Sequence, residues 1–446
     1  MKFPHPLALL VGCIAVSAAL TWVLPAGRYD RAPDAATGRD VVVAGSYHAV
    51  APTPVSVFQT VVAVPRGMAD AGSVIFFVFL VGGAFTVVDK TGALRWAVGR
   101  LVDGLRDSET LVVPVVVLFF AAAGALENMS EEIIALVPVL LLLTTRLGLD
   151  PLVAAAMSIG AAAVGASFSP VNPFQVLIAQ KVAQLPPASG LVFRSLFLAL
   201  AVGLWMFAAM RFARRTRVAP SAAPAAVSEH ENLGARGAAV LALVVLTFAV
   251  FLFGVMRLGW DFDQESALFF AMGVAAGLVG RLGVTGTAVA FTEGFAGMAY
   301  AAMLIGFARA IYVVLEQGSI IDTIVHGMFT PLAHLPPVLS ALAMVAAQAA
   351  IHVPVPSVSG QAVLTLPVLT PLSDLIGLPR QVTVLAYQYG AGLCEMLTPT
   401  NGALMAVLAA SGVAYGRWLR FAVPLFALLL GLGAVAVGVA LIVGLH

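Results

Sequence analysis

Two apolar stretches of this chain are broken at the same relative place. SPVNP at residues 169–173 and TPTNG at 398–402 lie at a constant offset of 229, and each interrupts a long run of apolar side chains. The correspondence extends outward at that offset, pairing Ser130 with Ser359, Pro138 with Pro367, Gly148 with Gly377 and Pro170 with Pro399. A chain built this way has to fold as two related halves. Broken apolar helices in matching positions of two halves are also the sequence sign of a transporter's binding site.

Composition names the solvent for that fold. Of the 446 residues, 61% are apolar and 10% charged, against roughly 45–50% and about 25% in soluble domains, so no water-facing surface can be made from them. Several runs reach the ~20 residues a spanning helix needs. In lipid the backbone must satisfy its own hydrogen bonds, which selects the helix. The class is an all-α polytopic membrane protein in contact with membrane lipid. A net charge of +1 implies no nucleic-acid partner. Cys13 and Cys394 both lie in apolar runs, so neither a disulfide framework nor a thiolate metal site is expected. The apolar run from Leu7 to Leu24 exceeds the roughly 7–15 residues of a secretory signal core and reads as the first spanning helix.

Further spans are expected at about 73–89, 150–184 (interrupted), 190–212, 237–257, 266–282, 300–316, 380–413 (interrupted) and 421–444. Two other apolar segments, about 110–145 and 337–375, fold around polar or breaker-rich tips, ENMSEE at 127–132 and VPVPSVSGQ at 353–361. With a cytoplasmic N-terminus, fourteen Lys and Arg fall in inner loops and six in outer segments, the bias that cytoplasmic loops carry. Four of those six lie in one long outer loop, about 26–72. Arg106 and Arg146 place both ends of the first hairpin inside, and the second hairpin opens outward. Both hairpins are then re-entrant, and the halves form an inverted-topology repeat. Residues 1–212 make the first repeat, 213–236 a cytoplasmic linker and 237–446 the second repeat.

Irregular backbone at membrane depth survives only where protein or a water-filled cavity satisfies it, so the breaks and tips are the places to look for work. In SPVNP, Asn172 can cap a new half-helix with Pro173 in its first position, and in TPTNG, Thr398 can cap with Pro399 in that role. Ser130 precedes Glu131 and Glu132 at one tip, while Ser357 and Ser359 flank Gly360 at the other. Four helix starts would converge, offering free N–H groups and partial positive charge to a carboxylate, with carbonyls and hydroxyls beside them for a sodium ion. The plainer alternative is that Pro170 and Pro399 only kink buried helices. Two matched breaks plus two matched tips favour the site. Arg309, mid-span, is expected to make an ion pair, with Glu395 as one candidate, or to meet a substrate carboxylate. Glu127, His352 and Glu395 are candidates for a coupling proton or for satisfied structural roles.

No Walker phosphate loop, HExxH pair or nucleophile elbow is present. An enzyme and a resident cofactor are therefore not expected, and the coupling agent of a carrier would be Na+ or H+. ENMSEEIIALVPVLLLL with LGLDPLVAAAMSIGAAAVGASFSPVNPFQVLIAQ, PSVSGQAVLTLPVLTPLSDLIGLPRQVTVLAYQYGAGL with TPTNGALMAVLAASGVAYGRWLRF, and TWVLPAGRYDR resemble YfcC-type carriers, related to the C4-dicarboxylate anaerobic carrier DcuC. The resemblance covers most of the chain apart from the linker and parts of the outer loop. It implies the ion transporter superfamily, with a homodimer, a scaffold domain and a mobile, elevator-type transport domain in the bacterial inner membrane. It also implies that tips and breaks bind carboxylate and sodium. The matching positions are Asn128, Ser130, Ser169, Asn172, Ser357, Ser359, Thr398, Thr400 and Asn401. Sodium would sit near Ser130, Asn172, Ser359 and Asn401. The leading expectation is a secondary active transporter of a C4-dicarboxylate or similar organic anion. A basic amino-acid antiporter stays open beside it, with an intramembrane enzyme and a passive channel behind both.

Overall fold

Main-chain N–H and C=O groups set among apolar side chains have no water to bond, so each apolar run closes its hydrogen bonds locally. The computed structural model, which describes residues 5–34, 39–93, 109–217, 234–254, 258 and 260–445, is mostly helical. In chain order the helices are α1 (Pro6–Val23), α2 (Val57–Asp70), α3 (Gly72–Lys90), α4 (Glu109–Glu127), α5 (Ile133–Arg146), α6 (Pro151–Ser167), α7 (residues 173–182), α8 (Leu191–Arg215) and α9 (Gly234–Phe253). They continue with α10 (Phe262–Val279), α11 (Gly283–Gln317), α12 (Ile321–Phe329), α13 (Pro337–His352), α14 (Val358–Leu375), α15 (Arg380–Cys394), α16 (Gly402–Ala410) and α17 (Tyr415–Ile442). Among the described residues, α3, α8, α11 and α17 are by length and composition able to cross a membrane.

Two expectations need revision. The span read at 300–316 is the end of α11, 35 residues long, or roughly 52 Å at 1.5 Å per residue. Thr285, Thr287, Thr292 and Glu293 dilute its first half, so the apolar run begins well after the helix does. The long loop at 26–72 carries regular structure: β1 (Gly27–Arg28) pairs with β4 (His48–Ala49), β2 (Arg31–Asp34) pairs with β3 (Arg39–Val42), both antiparallel, and α2 starts at a Ser56/Gln59 capping box. Of the linker, 218–233 lies outside the described residues, as do Arg95, Arg100 and Arg106.

The helices pack as two groups. In the first, α11 runs against α1, α2, α3 and α10, and α3 also packs on α10. Small residues allow this: a Cβ added at Gly294 would lie 2.6 Å from Gly83 Cα, so α11 and α3 touch almost backbone to backbone. The second group holds α4–α8 and α13–α17, with α8 against α4, α6 and α17, and α15 against α13 and α17. Trp205 of α8 seals this group by donating to Ala156 O at 2.8 Å. That carbonyl is in the π-helical turn Ala156–Gly160 of α6, where the ordinary helical ladder is interrupted. Between the groups the main contacts are α11 with α16, α3 with α5, and β3 with α14.

The two broken segments, α6–α7 and α15–α16, lie side by side and run antiparallel. Arg380 Nη1 donates to Ala183 O at 3.1 Å, Gln388 Nε2 donates to Ser169 O at 2.8 Å, and Arg417 just past the second segment pairs with Asp150 just before the first. The start of one therefore meets the end of the other, with the breaks between.

Candidate functional site

At the first break α6 stops at Ser167 and the chain restarts at Pro173 with Asn172 as N-cap, as its sequence foretells. Asn172 Oδ1 accepts from the backbone N–H of Phe174 (2.9 Å) and Gln175 (2.8 Å), while its Nδ2 donates to Gly124 O (2.8 Å) and Asn128 Oδ1 (3.3 Å). Ser169 Oγ donates to Ala125 O at 2.6 Å and accepts from Asn172 N at 2.8 Å. One break thus caps two helix ends, the start of α7 and the last carbonyls of α4. Asn128 turns the tip in a left-handed conformation, φ 57°, which asparagine tolerates better than most residues. Gln175 Nε2 holds its side-chain oxygen at 2.9 Å. The crossing of α4 and α6 depends on glycine, since a Cβ at Gly165 would lie 2.0 Å from Ala121 O and one at Gly124 2.1 Å from Ala162 O.

The second break is built differently. Asn401, rather than Thr398, caps α16: its Oδ1 accepts from Leu404 N at 3.0 Å, and its Nδ2 reaches back to Glu395 O at 3.2 Å. Thr398 Oγ1 instead donates to Cys394 O at 3.1 Å, closing the helix that precedes the break. Tyr415 OH and Trp418 Nε1 take the carbonyls of Leu397 and Met396. Thr400 is buried and its hydroxyl has no hydrogen-bond partner among the described residues. Glu395 and Asn401 line a small cavity together with Asn128, Ser130 and Ala163, so the first hairpin tip faces the second break. Ser130 caps nothing there. Its N–H is taken by Glu132 Oε2 at 3.0 Å, and α5 begins only at Ile133.

The family model of DcuC, the C4-dicarboxylate anaerobic carrier, matches residues 3–442. The chain belongs to this family. It is 32% identical over 398 residues to YfcC of Escherichia coli, a protein named as a candidate basic amino acid antiporter, covering 84% of this chain and 79% of that one. It is 26% identical to a Haemophilus influenzae protein of unassigned function, covering 97% and 96%. Among solved structures, the Alcanivorax borkumensis YdaH transporter is similar over 99% of both chains, with 19% identity and a TM-score of 0.46. The DcuC-family chain is a multi-pass membrane transporter.

The second hairpin tip of this DcuC-family chain lies apart from the small cavity. Ser357 caps α14 by accepting from Gly360 N at 3.2 Å, and half-buried Ser359 sits in the first turn. Ser357 and Gly360 line a separate cavity of about 520 Å³ with Arg28, Arg31 and Arg309. Arg309 pairs with Asp70 of α2 and covers the Tyr312 ring at 4.7 Å, so its partner is neither Glu395 nor any residue of the breaks. His352 is buried, with Nδ1 3.0 Å from Gln361 Oε1, inside a network that includes Gln348 and Thr365. The side chain of Glu127 lies outside what is described.

Sequence reading passed over the residues that join the two breaks. Arg194 of α8 is 1% exposed and, among the described residues, has only amide oxygens for partners, Gln388 Oε1 and, at 3.0 Å, Gln381 Oε1. Gln388 in turn holds Ser169 O. The signal was available, since an arginine inside an apolar span marks a functional or specifically satisfied position. Glutamines 175, 348, 361, 381 and 388 were less legible: an uncharged amide in an apolar run does not reveal whether it faces a neighbour or a cavity.

Proposed function

We propose that this chain is a secondary active transporter of a small carboxylate-bearing metabolite, working by alternating access and driven by a cation gradient or by exchange. The observation that carries the reading is the meeting of the first hairpin tip and the second break around a cavity of about 10 Å³, which in this conformation is closed to a substrate. There the Asn401-capped start of α16 and the polar tip Asn128–Ser130 meet, a setting in which N–H groups and the positive end of a helix favour a carboxylate. The C4-dicarboxylates named in the family's description agree with it. The antiparallel broken segments support an inverted repeat with two re-entrant hairpins; we place it in the bacterial inner membrane with a cytoplasmic N-terminus, as a homodimer, on the family resemblance and the charge bias of its loops.

Motion of the second helix group against the first provides alternating access. The moving unit includes α8 and α17, whose main contacts are with the second group. A second reading, exchange of amino acids, draws on Glu395: an acid beside the capped helix start gives a substrate ammonium a partner. The name of the E. coli relative points the same way.

Purified protein in liposomes, offered labelled succinate and arginine under separately imposed sodium and proton gradients, is expected to accumulate or exchange at least one of them. Absence of both accumulation and counterflow would refute transport of this class. Cysteines placed at Ile305 and Gly402, where α11 meets α16, are expected to stop uptake when oxidised and release it when reduced. Undiminished uptake in the oxidised form rules out the sliding motion.

A further inference from the structure

The larger cavity, on the side of β1–β4, has a charge pattern of its own. It is lined by side chains from β1, β3, the last turns of α11, the start of α12 and the first turns of α14, and so straddles the two helix groups. Its volume of about 520 Å³ is in the range of small-molecule sites, roughly 300–1,000 Å³.

Most of its charges are already spent. Asp322 is 4% exposed and is fully engaged, accepting from Arg31 Nη2 and Tyr29 N at 2.9 Å each. Arg309 is committed to Asp70. Three charges are left without an ion-pair partner among the described residues. Arg28 donates only to the neutral Ser319 Oγ, at 3.0 Å, and Asp40 and Glu316 appear in no ion pair. The free balance is one cation and two anions around one cavity, with the Tyr312 ring between Glu316 and Arg309.

A ligand that complements this set carries one carboxylate and two cationic groups. A dicarboxylate does not, for it would bring two negative charges to a cavity whose unpaired surplus is already negative. We propose that this cavity is an outer docking site for a basic α-amino acid, its carboxylate on Arg28 and its two cationic groups on Asp40 and Glu316. The assignment rests on the amino-acid reading given above and narrows it. Because α14 forms one wall and β1, β3 and α11 the others, a bound ligand bridges the two helix groups.

Binding to the purified protein, measured by calorimetry with arginine and succinate as probes, tests the site without reference to transport. Arginine is expected to bind at low salt and succinate not to compete with it. R28Q, E316Q and D40N are each expected to weaken arginine binding about tenfold, the loss of one charge-assisted hydrogen bond. All three residues are exposed and none makes an ion pair, so the variants should fold; unfolding profiles matching wild type verify this. Failure of wild type to bind arginine, binding of succinate in its place, or arginine affinity unmoved in both R28Q and E316Q would each overturn the proposal. The liposome assay then reports separately on transport, and succinate uptake without arginine binding would leave the carrier reading standing while removing this one.

Discussion

The two breaks match in sequence and differ in what they leave free. Asn172 is fully buried and uses its amide on both sides, with two accepted and two donated hydrogen bonds into α7, α4 and the first tip. Asn401 is half-buried, makes one bond of each kind among the described residues, and lines a cavity beside Glu395. The first break spends its asparagine on fixing a hairpin to its helix, and Gln175 Oε1 beside it is left unpaired among the described residues; the second spends less of its asparagine and lines the cavity with it. Both copies thus keep an asparagine N-cap, while only the second copy's asparagine lines the small cavity.

If that contrast is right, substitutions at the first break should injure the fold and those at the second should injure function. Asn172→Ala should have the largest effect. It removes the acceptor of the Phe174 and Gln175 N–H groups, the latter buried, at about 1–3 kcal/mol for a buried group, and is expected to remove on the order of 2 kcal/mol or more. Thermal unfolding in detergent reads this, and a wild-type melting profile would erase the distinction between the joints. Gly165→Ala comes next. Its Cβ would overlap Ala121 O, and with backbone on both sides the relief is a shift of α4 away from α6, at roughly 1–3 kcal/mol.

How much of this could be read beforehand depends on where the information sits. Apolar runs, tips and breaks are local, so all the expected helices were found, and the Asn172 cap followed from asparagine before proline. The second cap was misplaced at Thr398 because TPTNG offers two polar residues, and the choice between them is made by Cys394 O, which draws Thr398 back onto the preceding helix. The convergence of four helix starts was not decidable from one dimension either. Repeat symmetry makes the tips equivalent, yet Asn128 and Ser130 face the second break whereas Ser357 faces the cavity beside Arg28. Membership of α8 in the group with the hairpins was invisible for a similar reason: it depends on Trp205 and Arg194 reaching partners 49 and 194 residues away.

Asn401→Ala sharpens the comparison from the other side. Losing the cap should cost about 1 kcal/mol of stability, less than at Asn172, while uptake in liposomes falls roughly tenfold through the loss of a polar group at the ligand. An unchanged uptake rate with normal folding would mean that the cavity between the first tip and the second break is not where substrate binds, and would return the two breaks to equal, structural rank.

The smallest effect is expected at Arg309→Gln, and it isolates the scaffold from both breaks. The side chains of Arg309 and Asp70 are 40% and 47% exposed, so solvent screens the pair and its loss should cost under about 1 kcal/mol. Nothing in either break touches Arg309, and therefore succinate or arginine uptake at saturating concentration should stay within about twofold of wild type, a difference of under ~0.5 kcal/mol. Its guanidinium does border the outer cavity, however, and covers Tyr312. A substrate that docks there on its way in should show a raised half-saturation concentration with an unaltered maximal rate. A fall in maximal rate would instead place Arg309 in the moving machinery, and its charge would then be part of the transport step and not a strut of the scaffold.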